Sequence, residues 1–179
     1  MKYNEAFIDA IIKILIKNKA VKPQEGPNLK RMFLMRSDVA FEEFLIDENI
    51  VEKEDILKAL SEYYNVPALD VEGEFFEHEL VTMFPKDIML RYCFIPYEHD
   101  GDILMVVAGT PDDPDLTDTI GRYVSYDVQF MVGYFEDILD QVEDTYDEPV
   151  TEEEEDEDLR AEKEEKQEVE ELSEEDKGY

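Results

Sequence analysis

The spacing of the apolar residues changes near Pro67, and this change constrains the fold more than any other feature of the sequence. Before Pro67, apolar side chains recur every three or four residues, which is the period of an amphipathic helix. After it, two short apolar runs at residues 93–97 and 103–108 are joined through an Asp-Gly pair, which favours a hairpin. The sequence therefore predicts an α+β fold.

Residues 1–66 are predicted to form a helical subdomain of two imperfect helix–turn–helix units. The apolar pattern gives helices over residues 4–18, 28–35, 39–47 and 53–64. Asn4 is a plausible N-cap, and Asn49 can take the left-handed conformation that ends a helix. The two units echo each other, because Leu15-Ile16-x-x-x-Ala20-Val21 resembles Leu45-Ile46-x-x-x-Ile50-Val51.

Residues 67–146 are predicted to form a small ββαβα layer packed with the helical subdomain. An extended segment at 68–71 and two short helices at 78–84 and 85–92 precede the layer. The layer itself comprises strands at 93–97 and 103–108, a helix near 114–122, a strand at 124–132 and a closing helix at 135–146. Asp113 followed by Pro114 is a typical helix start.

The charge is strongly negative and unevenly placed. The chain has 49 acidic and 17 basic residues, for a net charge of −32. Such a surface repels phosphate backbones and anionic lipid, so we expect no nucleic-acid binding. Residues 1–36 are the exception, with eight basic and three acidic residues. This segment either attracts an anionic partner or neutralises the acidic remainder of the chain.

Residues 147–179 are predicted to be a disordered acidic tail. Its apolar residues, such as Leu159, Val169 and Leu172, are too few and too scattered to bury a core. Its usual role would be solubility, and binding of a basic partner is the alternative.

The chain is predicted to be cytoplasmic, without membrane insertion. Glu5 and Asp9 stand where a secretory signal needs basic residues, and no apolar run is long enough to span a bilayer. Cys93 is the single cysteine and lies in an apolar run, which indicates a buried structural thiol.

No catalytic, cofactor-binding or metal-binding residue is predicted, so the chain is not expected to be an enzyme or to need a cofactor. Neither GxxxxGK[ST] nor GxGxxG occurs. His78, His99 and Cys93 do not have the spacing of a zinc site, and capping explains the aspartates at 112, 113 and 115. Residues 47–58 lack the ligands of an EF-hand loop.

The order of features over residues 5–146 resembles the N-terminal domain of the type II secretion and type IV pilus assembly ATPases. The resemblance is carried by Phe44-Leu45, Ile50-Val51, Ile56, Ala59-Leu60, Tyr63-Tyr64-Asn65-Val66-Pro67, Leu69-Asp70-Val71, Phe84-Pro85, Ile95-Pro96, Gly101 to Ala108, Pro114-Asp115, Asp118, Gly121 to Val124 and Asp137-Ile138. The resemblance implies a domain that docks onto inner-membrane assembly components, and in one branch binds cyclic di-GMP. No Walker A lysine occurs here, so we expect a stand-alone regulatory or adaptor module without the motor.

The cyclic di-GMP branch uses a repeated pattern that begins Arg-Leu-Gly, with a later glycine and a final glutamine. This chain has Ala40-Phe41-Glu42 in the first place, Asn49 at the glycine and Tyr63 at the glutamine. The earlier repeat has Ala10-Ile11-Ile12 and Lys19. Without the arginine, and with a carboxylate at Glu42, phosphate binding is disfavoured.

The sequence therefore predicts a non-catalytic adaptor or regulatory module that docks a protein partner of a type II secretion or type IV pilus-like system. The alternative is a degenerate sensor of cyclic di-GMP or another small anion, acting through the basic first segment. A third possibility is a decoy whose acidic body and tail occupy the basic groove of a partner.

Overall fold

The computed structural model describes residues 4–36 and 39–147. The described residues as far as Tyr146 belong to one compact unit. The acidic tail predicted at 147–179 lies outside the described residues, apart from Asp147 at the end of the last helix.

The described residues form helices and a three-stranded sheet, and the α+β prediction is confirmed. In chain order the elements are α1 (Glu5–Lys17), α2 (Gly26–Leu34), α3 (Phe41–Asp47), α4 (Lys53–Tyr64), α5 (His78–Thr82), α6 (Lys86–Tyr92), β1 (Phe94–Asp100), β2 (Ile103–Ala108), α7 (Pro114–Ile120), β3 (Asp127–Val132) and α8 (Phe135–Asp147). None of the described helices is both long and apolar enough to cross a membrane.

The two helix–turn–helix units share one backbone turn. Lys19 after α1 and Asn49 after α3 both have positive φ, 64° and 52°. The next amide of each unit donates back to a leucine carbonyl, Ala20 to Leu15 and Ile50 to Leu45, both at 2.9 Å. This is the Schellman arrangement, which satisfies carbonyls at a helix end. The sequence echo between the units therefore reflects a repeated structure.

Helix α2 begins earlier than the sequence pattern predicts. Gly26 and Pro27 were expected to precede the helix, yet they are its first two residues. Proline is tolerated there because the first amides of a helix have no acceptor within it. A Cβ on Gly26 would lie 3.1 Å from side-chain atoms of Ile12 and Ile16, so glycine lets α2 approach α1 closely.

The sheet has the order β1-β2-β3, with β1 and β2 antiparallel and β2 and β3 parallel. Gly101, with φ 56°, turns the hairpin between β1 and β2, and α7 makes the crossover to β3. Strand β1 runs to Asp100, beyond the predicted 93–97, because pairing continues as far as Asp100 opposite Ile103. Strand β3 starts at Asp127, three residues later than predicted.

Two groups of buried apolar residues form the core, and they meet at the end of β3. One group lies among α5, α6, the sheet, α7 and α8, and the other lies among α1 to α4. Val132 and Tyr134, just at and after the end of β3, belong to the second group. The extended segment at Ala68 bridges Val132 in parallel, so the chain enters the sheet layer directly beside the helices.

Candidate functional site

A pocket of about 330 Å³ opens between the helical half and the loop that leads from β2 to α7. Its walls come from the start of α1, the start of α3, the end of α4 and that loop. The residues that define its chemistry are Phe7, Phe41, Glu42, Tyr63, Tyr64 and Asp112. Apolar walls with a few polar groups are the usual make-up of a ligand site.

Three aromatic rings build one side of the pocket. The Phe7 ring meets the Tyr63 ring edge to face at a centroid distance of 5.0 Å, and Tyr63 meets Tyr64 in the same manner at 4.8 Å. Asn65 follows them in the left-handed conformation, with φ 55°, and ends α4 at this point. Tyr63 and Tyr64 are thus the last two residues of α4, and both line the pocket.

The pocket is also acidic. Glu42 is half-buried at the start of α3, and burial raises the pKa of its carboxyl. Burial raises the pKa of the Tyr64 hydroxyl as well, and the negative charges of Asp112 and Glu42 raise it further. No described lysine or arginine lies within ion-pair distance of Glu42 or Asp112. The pocket thus combines aromatic walls with negative charge.

The structure brings together the positions of the second ligand-motif repeat, apart from the glycine position. Ala40, Phe41, Glu42 and Tyr63 all line the pocket, and none of its lining residues is an arginine or lysine. Asn49 lies elsewhere, in the left-handed turn after α3. In the earlier repeat, Ile11 and Ile12 are buried in the helical core, and Lys19 forms the equivalent turn. In both repeats, the residue at the later glycine position forms the turn that follows the helix and does not line the pocket.

Asp112 is a pocket residue that the sequence pattern attributed to helix capping. Three neighbouring aspartates suggested helix capping, and Asp113 does cap α7, because its side chain accepts a hydrogen bond from the Asp115 amide at 2.9 Å. Asp112 instead lies at the pocket with Thr110, and both are far in sequence from the other residues that line it. No local pattern distinguishes these two roles, since only the fold brings Asp112 beside Tyr64.

A second cluster of charge surrounds Lys53 at the start of α4. Its ammonium lies 2.8 Å from Asp137, 2.7 Å from Glu72 and 3.9 Å from Asp70. Burial lowers the pKa of Lys53, but the hydrogen bonds to Asp137 and Glu72 raise it by more. The same three carboxylates lie close enough together to hold a metal ion, yet the lysine already engages them. The cluster is best explained as a set of ion pairs that joins α4 to the sheet layer.

The other residues considered from the sequence have structural contacts. Cys93 is buried, and its thiol lies 3.6 Å from the carbonyl of Phe135. His78 Nδ1 lies 2.9 Å from the carbonyl oxygen of Thr145. The exposed His99 ring stacks on Tyr126 at a centroid distance of 5.9 Å.

The basic first segment is largely engaged by acidic residues of the same unit. Ion pairs join Lys17 to Glu62 and Lys22 to Glu25, while Lys30 pairs with Glu5 and Asp9 and Arg36 pairs with Glu48. These contacts favour the reading in which the segment neutralises its own surroundings. Lys13, Lys19 and Arg31 make no ion pair with a described acidic residue.

An apolar surface remains exposed at the end of α2. Met32, Leu34 and Met35 are 37%, 47% and 80% exposed. Met32 and Met35 are three residues apart, so they lie on the same side of the helix. Arg31 borders them and is exposed. We call Met32, Leu34 and Met35 the α2 surface.

Comparison with known proteins places this fold in a family. Residues 64–152 match the MshEN domain. A structure of MshE with cdg is 14% identical, with a TM-score of 0.61, and the match covers 76% of this chain and 98% of that chain. The N-terminal domain of XpsE is 16% identical, with a TM-score of 0.52, and the match covers 80% and 97%. At these identities the structural likeness concerns the fold alone.

The match over residues 64–152, together with the shared fold, supports an N-terminal domain of the type II secretion and type IV pilus assembly ATPase family. The resemblance stated from the sequence is confirmed. The matched domain is the N-terminal domain of such proteins and not their ATPase motor. No curated protein sequence matches the chain significantly.

Proposed function

We propose that this protein is a non-catalytic docking module, which binds a protein component of a type II secretion or type IV pilus-like assembly through its helical half. The α2 surface is the observation that carries the proposal. Exposed methionines and a leucine provide an adaptable apolar contact, and methionine-rich surfaces are common where helices bind partners. The MshEN match supports the choice of partner class.

Affinity purification with paired variants tests this proposal. Leu34→Glu together with Met35→Glu should abolish recovery of a secretion or pilus assembly component that the wild-type protein recovers, because charges would be introduced at the centre of the contact. Phe75→Glu is the matched control, since Phe75 is 82% exposed and lies outside the helical half. Recovery that both variants leave unchanged, or recovery of no such component by the wild-type protein, would contradict the proposal.

The alternative function, a degenerate sensor of cyclic di-GMP or another small anion, has one observation in its favour: MshE, which has a similar fold, has been solved with cdg. The pocket of this chain argues against it, because Glu42 and Asp112 repel phosphate and none of the described residues in its walls is an arginine or lysine. Calorimetry with cyclic di-GMP at high micromolar concentration should give no binding heat.

The decoy hypothesis is tested separately by deletion of residues 147–179, which should leave partner recovery intact.

A further inference from the structure

The acidic, aromatic pocket has features that a purely structural role does not explain. Glu42 keeps a carboxylate in a half-buried place where no described basic side chain pairs with it. A carboxylate withdrawn from water costs free energy unless another group compensates it. Glu43, and not Glu42, closes the capping box at the helix start, because the Glu43 carboxylate accepts the hydrogen bond from the Ala40 amide at 3.3 Å. A hydrogen bond with the Glu42 backbone offsets the effect of burial on the Glu42 carboxyl only in part.

The chemistry of the walls selects the charge of a ligand. Glu42 and Asp112 repel anions, whereas both attract cations. The faces of aromatic rings attract cations too, because the ring quadrupole is negative above its plane. Phe7, Tyr63 and Tyr64 supply such rings beside the carboxylates. A cation with an apolar stem would therefore meet favourable contacts on every side.

We propose that this pocket binds the guanidinium group of an arginine side chain from a bound polypeptide. A guanidinium is planar and weakly hydrated, stacks on aromatic faces and forms paired hydrogen bonds with a carboxylate, whereas an ammonium keeps its water more firmly. Glu42 receives the guanidinium, the perpendicular rings of Tyr63 and Phe7 contact one of its faces and its stem, and Asp112 adds charge at the rim.

The polypeptide source follows from the same charges. Glu42, Asp112 and the acidic surface of the chain would repel the α-carboxylate of free arginine, which offsets their attraction for its α-ammonium. An arginine within a polypeptide has no such carboxylate. The pocket is separate from the α2 surface, because none of its lining residues belongs to α2. Variants of the pocket and variants of the α2 surface therefore test two separate sites.

Titration of the full chain with a blocked tripeptide, acetyl-Gly-Arg-Gly-amide, tests the inference by amide NMR. Binding should shift the resonances of Glu42, Tyr63 and Asp112. The citrulline tripeptide has nearly the same shape without the charge and should bind at least about tenfold more weakly, the loss expected for one charge-assisted hydrogen bond. Equal binding of the two peptides, or shifts confined to other regions, would overturn the inference.

Glu42→Gln keeps the size of the side chain and removes its charge. It should weaken the arginine peptide at least about tenfold, while Asp112→Asn at the exposed rim should weaken it no more than about fivefold. The matched control Glu79→Gln changes the same charge on exposed residue 79 of α5 and should have no effect. Unchanged affinity in Glu42→Gln would overturn the inference.

The thermal midpoint separates this role from a structural one. Because burial raises the pKa of Glu42, its ionised form opposes folding above the ordinary titration range of a glutamate. The free Glu42→Gln protein should therefore have a Tm at pH 7 equal to or above that of the wild-type protein, and a lower Tm would show that Glu42 serves the fold. A further outcome also counts against the inference, namely spermidine that binds more tightly than the arginine peptide.

Discussion

At the scale of single residues, Cys93 shows how conformation and burial together decide the chemistry of a side chain. It ends α6 in the left-handed region, with φ 48°, which is uncommon for a residue other than glycine. A Cβ on the nearby Gly109 would lie only 2.9 Å from its sulfur, so the thiol is closely packed against that glycine. Burial raises the pKa of Cys93 to about 12, although a hydrogen bond from the Gly109 backbone opposes the rise.

The thiol of Cys93 should therefore react very slowly in the folded protein. The thiolate is the reactive form, and a rise in pKa from 9.0 to about 12 lowers the thiolate fraction at pH 8 about a thousandfold. A colorimetric thiol reagent at pH 8 should modify the native chain at least about a hundredfold more slowly than the same chain in concentrated urea. Similar rates in the two states would show that the site is open to solvent.

At the scale of helices and strands, the sequence predicted the elements whose signals are local. The N-cap role of Asn4 is confirmed, because its side chain accepts a hydrogen bond from the Ala6 amide at 3.1 Å. Helix α4 begins and ends at the predicted residues, because Asn65 can adopt the left-handed turn that stops it. The start of α2 at Gly26 was missed, because glycine and proline usually interrupt a helix, whereas here they form its first turn.

The pocket could be predicted only in part, because elements that are far apart in the sequence form its walls. The motif alignment identified Glu42 and Tyr63 as ligand positions, because they follow a repeat that is visible in the sequence. Asp112 and Phe7 come from distant elements that only the folded chain places beside them. The acidic character of the pocket, which favours a cation over the anionic ligand of the motif, is thus a property of the tertiary structure.

Lys53 links two elements in a manner that the helical pattern alone did not indicate. It is the first residue of α4, and its ammonium contacts Asp137 in α8 and the ring of Tyr134, whose centroid lies 5.9 Å away. The Lys53 and Asp137 side chains are 27% and 18% exposed, so water screens their contact only in part. The pair therefore stabilises the junction between the helices and the sheet layer.

Lys53→Met should destabilise the protein by about 1–3 kcal/mol, because Asp137 would lose its partner while remaining half-buried. Urea unfolding followed by circular dichroism measures the change as a lower midpoint with an unchanged slope. Lys58→Met is the matched control on the same helix, where the exposed Lys58 pairs only with Glu54, and its effect should be much smaller. Equal effects of the two variants would show that the Lys53 cluster adds no more than an exposed pair.

At the scale of the whole molecule, the helical half does not complete its own core. Val132 and Tyr134, more than 60 residues beyond Pro67 in the sequence, pack among the buried residues of α1 to α4. The backbone joins at the same place, because the Val132 amide donates to the Pro67 carbonyl at 2.8 Å and the Leu69 amide donates to the Val132 carbonyl at 2.9 Å. The boundary proposed at residue 66 therefore divides a shared core.

We expect residues 1–66 to fold poorly when separated from the rest. Without Val132 and Tyr134 the fragment exposes apolar surface that the intact protein buries, and a domain of this size has little stability to spare. The fragment should lose a large part of its helical circular dichroism and show no sharp urea transition, whereas residues 1–146 should unfold in one cooperative transition. If residues 1–66 instead unfold cooperatively at the midpoint of residues 1–146, the helical half is an independent domain.

Tyr134→Ala within residues 1–146 distinguishes the two cases further. If the core is shared, the substitution should lower a single common midpoint. If the halves are independent, the midpoint of the helical half should remain unchanged.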